Sequence, residues 1–303
     1  MEQSTTTQPQ AGTRFDLPQI ITDKFIANLK NNIVPWHLSM TTAGIPANLI
    51  TKEQYRGINA LLLLMAGCEQ NLFLTFDQVH ALGGKVKAGS KGYSVVRWDK
   101  PKDGAAQKEP AASGDAQKLF MKQYTVFNIE QCDIPEPAMQ TLAKPQPLLN
   151  VDLVIKGMPK APKIVYQNNV LHYDVVEDTV YAPKLKKKDK ALHDIVLIHL
   201  LVHSTGHDSR LARNGVAEMG EQLENPVLYS KEELVAAIGT CFLCKQTGIV
   251  HDDPVNPAYA QGWMEVLQAN KWLIFNAARE AQKAVDFILN VKGIKKELKP
   301  EEA

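Results

Sequence analysis

Residues 198–207 read Ile198-His199-Leu200-Leu201-Val202-His203-Ser204-Thr205-Gly206-His207, three histidines at four-residue spacing in a largely apolar run. Side chains four apart lie on one helical face, one turn above the other, so His199 and His203 can reach the same ion. Zinc takes such neutral imidazole nitrogens, in tetrahedral sites completed by other ligands. Three ordinary histidines on a half-buried helix would give the same spacing. The apolar flanks weigh against that reading, because an imidazole without a partner is costly in such surroundings. A helix is therefore expected from about Ala191 to His207, with Gly206 marking its end and swinging His207 away from the pair. Downstream, Ser230-Lys231-Glu232-Glu233 reads as the capped start of a helix running from Ser230 to Thr247, able to deliver a carboxylate to the histidines.

Outward from this centre, the pattern predicts an α+β chain of two domains. Met1 to Arg14 is polar and unpatterned and is expected to be disordered. Residues 15–135 form the first domain. A helix starts at Asp16 with Ile20, Ile21, Phe25, Ile26 and Leu29 on one stripe, and a second spans Gly57 to Ala66. A third is capped by Thr75 and stops at Gly83-Gly84. Tyr93–Trp98 and Tyr124–Asn128 read as strands, with Lys100 to Lys118 as an unpatterned insertion between them. Prolines at 135, 137, 145 and 147 punctuate a linker over 136–150. The second domain, 151–291, opens with strands at Val151–Ile155, Lys163–Tyr166 and Val170–Val175, the last two joined by a turn at Gln167-Asn168-Asn169. A short extended piece, Thr179–Ala182, precedes the histidine helix. Helices at Pro257–Ala269 and Asn270–Leu289 follow, then a charged tail over 292–303.

The 303 residues are 45% hydrophobic and 22% charged, enough to bury a core without staples. A net charge of +1 excludes bulk electrostatic attraction to nucleic acid or membrane, leaving only local patches. Cys68, Cys132, Cys241 and Cys244 form no disulfide framework, and the polar start carries no signal-peptide pattern. A cytoplasmic protein that does not enter the membrane is expected. Cys241-Phe242-Leu243-Cys244 lies in an apolar helical stretch and reads as buried core. Trp263, Trp272 and Phe275 at helical spacing read the same way.

The segment Val202-His-Ser-Thr-Gly-His-Asp-Ser-Arg-Leu211, followed by Tyr229-Ser-Lys-Glu-Glu-Leu-Val-Ala-Ala-Ile-Gly239, resembles the zincin-like metallopeptidase domain of ArdC-type antirestriction proteins. The resemblance implies a zincin-like fold, an antiparallel sheet with a helical C-terminal part. It also implies that His199 and His203 are metal ligands, zinc being the expected ion, with Glu233 as the third. Glu232 is the fallback, since the register of its helix is an inference. Two departures separate ligation from catalysis. The family's general base is Leu200, which cannot accept a proton, and loss of a positioned base alone costs about 10²–10⁴-fold. The family's second glutamate is Ala237, where a carboxylate would orient a ligand histidine. The expected outcome is a pseudoenzyme without catalytic residues, binding a protein or peptide partner beside a Thr179–Ala182 edge. The rival is a working peptidase whose substitute base is Glu177 or Asp178.

The N-terminal motifs Ile33-Val-Pro-Trp36, Tyr55-Arg-Gly-Ile-Asn59, Leu82-Gly-Gly-Lys-Val-Lys-Ala-Gly-Ser-Lys-Gly92 and Val126-Phe-Asn-Ile-Glu-Gln131 are similar to the single-stranded-DNA-binding domain of the same proteins and to part of plasmid TraC primases. That implies an antirestriction role on a mobile element, guarding single-stranded DNA during conjugation. Single strands bind where a positive groove tracks phosphates and aromatic faces stack on bases. Candidate contacts are Trp36, Tyr55, Arg56, Asn59, Lys85, Lys87, Lys91 and Arg97, with Trp98 a further aromatic. For each a structural role competes: tryptophans belong to cores, asparagines close turns, and the lysines could be a solvated hairpin. This half carries only slightly more Lys and Arg than Asp and Glu. Binding is therefore expected to be modest and steeply salt-sensitive. A scaffold or primase-accessory module is the remaining alternative.

Overall fold

The structure is a computed structural model that describes residues 16–31, 33–36, 44–99, 120–136, 138–139, 148–167, 170–184, 190–216, 226–249 and 257–291. The expected N-terminal disorder, the insertion at 100–118, the Asn168-Asn169 turn, most of the linker and the charged tail lie outside those residues, wholly or in part. None of the helices found there is long and apolar enough to cross a membrane.

The chain begins with α1 (Leu17–Lys30), capped by the Asp16 carboxylate on the Gln19 N–H. Next come β1 (Ala47–Asn48), α2 (Ile58–Leu64), β2 (Leu72–Leu74) and α3 (Phe76–Ala81). The Thr75 cap is completed by Gln78 reaching back to the Thr75 N–H, a reciprocal pair that satisfies two orphan donors. Then follow β3 (Lys85–Val86), β4 (Tyr93–Asp99), β5 (Phe120–Asn128) and β6 (Cys132–Asp133). Strands β1, β2, β5 and β4 form a sheet in that order, with β4 and β5 antiparallel over the whole of β4. Strands β3 and β6 pair separately.

The second half starts with a correction. Val151–Ile155 is not a strand but the body of α4 (Val151–Gly157). The Asn150 side chain accepts from the Leu153 N–H and caps it, and only Val154 is fully buried, so the β-branched composition misleads. Strands β7 (Lys163–Tyr166), β8 (His172–Asp174) and β9 (Thr179–Ala182) form a sheet in the order β7-β9-β8. The sheet is mixed rather than antiparallel, because β7 runs parallel to β9. Strand β9 is its centre, paired on both sides, so Thr179–Ala182 offers no free edge to a peptide.

Four helices complete the fold: α5 (Lys190–Ser204), α6 (Pro226–Thr247), α7 (Pro257–Ala269) and α8 (Leu273–Ile288). The α5 helix ends at Ser204, three residues before His207, with Gly206 in the following turn. Ser230 does not cap α6, which begins four residues earlier at a proline suited to a first helical position.

One buried cluster runs through both halves. It takes in Phe25 and Leu29 of α1, Leu61 of α2 and Val96 of β4, together with Leu201 of α5, Phe242 of α6 and the alanine face of α8 (Ala277, Ala278, Ala281, Ala284). The Thr22 hydroxyl donates to the Lys271 carbonyl at 2.7 Å, and Trp36 meets Trp263 edge-on at 5.0 Å. Cys241 and Cys244 lie buried in α6, where burial pushes the Cys241 thiol up to about 12, so this pair is core rather than reactive.

Candidate metal centre

The site is built where α5 packs against α6. His199 and His203 lie one turn apart on α5, their Nε2 atoms 3.1 Å from each other. Glu233 of α6 faces both: one carboxylate oxygen is 3.4 Å from His199 Nε2 and the other 3.2 Å from His203 Nε2. The three side chains offer ligand atoms that all lie within 4.8 Å of one another. His203 and Glu233 are buried, while His199 is 29% exposed and leaves the site open on one side.

The other ring nitrogens are held from outside. Thr240 donates its only hydroxyl proton to the Ala236 carbonyl at 2.7 Å, so towards His199 Nδ1, 3.3 Å away, it can only accept. His203 Nδ1 lies 3.1 Å from Glu232, a carboxylate that accepts. Both histidines are thereby set to keep a proton on Nδ1 and to direct Nε2 at the site, where a metal would displace any proton that Nε2 carries. Glu232 thus faces the outer nitrogen of His203 and lies outside the candidate cluster of His199, His203 and Glu233. Its own position is fixed by Arg213, whose Nε and Nη2 reach its two oxygens at 2.8 and 2.6 Å.

Arg213 does more than neutralise Glu232. Its guanidinium also donates to the Thr205 hydroxyl at 3.0 Å and the Val202 carbonyl at 3.1 Å, while Arg210 donates to the Ser204 carbonyl at 2.6 Å. The Val202 and Ser204 carbonyls belong to the last turn of α5, so two cations sit at the end of the helix that carries the candidate ligands. Gly206 makes room: a Cβ there would stand 3.1 Å from the guanidinium and 2.3 Å from Val216.

The electrostatics follow from this packing. Burial alone would lower the pKa of His203, but Glu232 and Glu233 outweigh it and raise it to about 9. Burial would raise Glu233 and Glu232, yet both are held below the usual carboxylate range. The histidines do this for Glu233, and Arg213 with His203 for Glu232. The donor set, two imidazoles and an ionised carboxylate with orienting partners, fits a divalent ion of the zinc or manganese type.

The general-base position is apolar. Leu200 is buried in the main core. Ala237 stands where the family resemblance puts an orienting glutamate; Thr240, about one turn on, lies beside His199 Nδ1 instead. The rival bases are engaged elsewhere. Asp178 is ion-paired to Arg210 and accepts from the Tyr173 hydroxyl; burial would raise it, but these partners leave it lowered. Glu177 accepts from the Tyr181 hydroxyl at 2.6 Å. His207 sits in the turn after α5, its Nδ1 accepting from the Ser209 N–H, outside the metal cluster.

The proposed DNA contacts are scattered. Trp36 is a correction: it is 3% exposed, with its ring against Trp263, and presents no face to a base. Asn59 is spent on β4, donating to the Val96 carbonyl and accepting its N–H. Tyr55 is half-buried edge-on to Phe73, and Arg56 is paired to Asp286 of α8. Lys85 lies 3.9 Å from Asp133, and Lys87 donates to the Glu130 carbonyl. Lys91 is exposed. Arg97 pairs with Asp99 and lies over the Tyr124 ring at 4.7 Å. Trp272 departs from its expected core role, being 37% exposed and stacked on the exposed Trp98.

Comparison with known proteins places these halves. Residues 15–127 match the family model described as the N-terminal domain of anti-restriction factor ArdC, and residues 158–280 match a zincin-like metallopeptidase model. The metal-free crystal structure of antirestriction protein ArdC from plasmid R388 is 30% identical, with a TM-score of 0.72, over 90% of this chain and 97% of that one. This chain belongs to the ArdC antirestriction family. The Mn(II)-bound structure of the same R388 protein gives 29% identity and a TM-score of 0.71 over 91% and 98%. Protein y4eC of Sinorhizobium fredii is 27% identical over 300 residues, 93% of this chain and 94% of its own length. DNA primase TraC of Escherichia coli is 29% identical over 289 residues. That match takes in 89% of this chain but only 26% of the primase, so the chain spans about a quarter of that relative.

Glu232's orienting role, Arg213 and Thr240 are what the sequence reading missed. Arg210 and Arg213, two cations just past an apolar histidine helix, were the available signal.

Proposed function

We propose that this ArdC-family protein is a single-stranded-DNA-binding antirestriction protein of a mobile element. In this reading its zincin-like centre holds a divalent metal without hydrolysing peptides. The observation that carries this is the paired arrangement at α5. Both Nε2 atoms converge with Glu233, and both Nδ1 atoms are anchored, while the adjacent base position is a buried leucine. A bound divalent ion would supply Lewis acidity. What the chain's own residues supply is orientation and charge, and none of the three ligand side chains is left over to take a proton from a nucleophile. Zinc is the ion expected from the donor set, and the Mn(II)-bound R388 protein supports a divalent ion more generally. The centre then serves to bind a protein or peptide rather than to cut it, in a cytoplasmic setting during conjugation.

Metal content of the purified protein, with His203→Ala as control, tests the first part: about one ion per chain is expected, and none in the variant. Zinc-loaded protein incubated with a mixed peptide library tests the second. Chelator-sensitive cleavage would replace the pseudoenzyme reading with that of a working peptidase. Titration of labelled oligonucleotides at low and moderate salt tests the N-terminal half, where single strands should bind better than duplex and salt should weaken them steeply.

A further inference from the structure

Most of the residues first expected to meet DNA are scattered, but Lys87, Lys91 and Trp98 border a surface with side chains of β5 and α3. Along β5, Gln123, Thr125 and Phe127 point to one face, and Ser94 and Trp98 of β4 share it by register. The Gln123 amide donates to the Ser94 hydroxyl at 2.8 Å across the two strands, which fixes the shared face. Gln123, Thr125 and Trp98 are exposed, whereas Val96, between Ser94 and Trp98 on the same face, is buried in the main cluster and Met121 packs against it, so the open part of the face is the strip along β5.

Aromatic rings stand at both ends of it. At one end Phe76, 52% exposed at the start of α3, lies 6.4 Å from the Phe127 ring and 4.6 Å from the His80 ring. At the other, the 41% exposed Trp98 is stacked on Trp272 at 6.0 Å. From Phe127 to Met121, the partner of Trp98, the strand runs roughly 20 Å at about 3.4 Å per residue. That length accommodates several nucleotides.

Positive charge borders the first end. The segment between β3 and β4 passes directly beside Phe127. A Cβ on Gly92 would stand 3.1 Å from that ring and 2.3 Å from the Thr125 methyl, so only glycine lets the backbone run this close. This segment carries Lys87 and Lys91, both exposed and neither ion-paired among the described residues, whereas Lys85 is offset by Asp133. The Gln131 amide anchors the segment by donating to the Lys91 carbonyl at 2.9 Å.

We propose that single-stranded DNA lies along this exposed β5 strip, stacking bases on Phe76 and Trp98 and placing phosphates on Lys87 and Lys91. The inference rests on the single-strand-binding reading above and gives it a location. Polar Gln123, Thr125 and Ser94 between two aromatic ends suit bases and sugars better than an apolar protein partner. The adjoining unpaired ammonium groups suit phosphates.

The test uses the full chain and a twelve-nucleotide oligothymidylate, read by fluorescence anisotropy across a salt series. Phe76→Leu keeps an apolar side chain but removes the stacking face, and should weaken binding about five- to a hundredfold. Trp98→Leu should act in the same direction. Phe76→Trp should retain affinity, which a merely structural role for Phe76 would not require. Removing both lysines (Lys87→Ala with Lys91→Ala) should make the slope of log affinity against log salt shallower by about 1.4, at about 0.7 per single-strand phosphate. Melting temperatures check that each variant is folded, and Phe76→Trp and the lysine pair remain informative if a leucine variant is not. Binding by the wild type that all these variants leave unchanged overturns the location while sparing single-strand binding itself. No binding by the wild type at low salt overturns both.

Discussion

Loading a divalent metal into this protein should release close to one proton at pH 7.5, and that proton comes from His203. Glu232 on one ring nitrogen and Glu233 on the other raise its pKa to about 9. At pH 7.5, about 1.5 units lower, roughly 97% of the metal-free sites then carry imidazolium. A metal needs the Nε2 lone pair, so ligation displaces the proton. The competition costs about 30-fold in apparent affinity at pH 7.5, or about 2 kcal/mol at 1.36 kcal/mol per unit. Affinity should climb nearly tenfold per pH unit and level off near pH 9. Glu233 contributes no proton, since it is already held ionised by its histidine neighbours. Calorimetric titration of zinc or manganese in buffers of different ionisation enthalpy counts the protons directly. Saturable binding at pH 7.5 with no dependence on buffer would refute the charge assignment at His203. Glu232→Gln should reduce the count, because a neutral amide no longer supports the imidazolium.

Four further outcomes follow from the same geometry. Because the folded pKa of His203 lies above its unfolded value of 6.5, its contribution is fully present below about pH 6.5 and is lost as pH rises through about 9. It amounts to on the order of 3 kcal/mol, so the metal-free protein should melt progressively lower from pH 7 to 10 in calorimetric scans, and metal-loaded protein should not. Thr240→Val removes the acceptor of His199 Nδ1 with little change of shape, and competition against a chelator should show metal affinity down about 10–100-fold. Arg213→Met leaves the Glu232 carboxylate buried beside His203 without its guanidinium, and urea unfolding should register a loss of about 3–5 kcal/mol. Trp36→Ala opens the Trp36–Trp263 contact and should cost a similar amount by the same assay, whereas oligonucleotide affinity of the folded protein stays put.

What was legible in the sequence was local. Histidine spacing, the start of α1 at Asp16 and the capping of α3 by Thr75 are decided within a few residues, and the structure has them where the pattern put them, while α5 stops at Ser204, shortly before the glycine read as its end. The pairing of Glu233 with the histidines rested on family resemblance, and the α5–α6 packing brings it there. Misreadings came where composition outvoted periodicity or where distance along the chain hid a contact. Val151–Ile155 is β-branched enough to look extended, yet Asn150 caps it as a helix. Trp36 looked like a stacking platform because nothing local reveals Trp263, 227 positions away. Ala237 read as the loss of the family's orienting glutamate, and the partner Thr240 offers His199 one helical turn on is visible only once the rings have positions.

The shared core has a consequence for heredity. Helix α1 and Trp36, from the first matched segment, are buried against α7 and α8, from the second. Either segment expressed alone would turn its share of this core to water, so each half should be less stable by itself than in the whole chain. The shared core therefore favours transfer of both segments as one cassette. The TraC primase fits that rule: its resemblance runs across both segments, 89% of this chain, inside a polypeptide several times longer. Recombination that joined one half to a foreign partner would leave that half's share of the core uncovered.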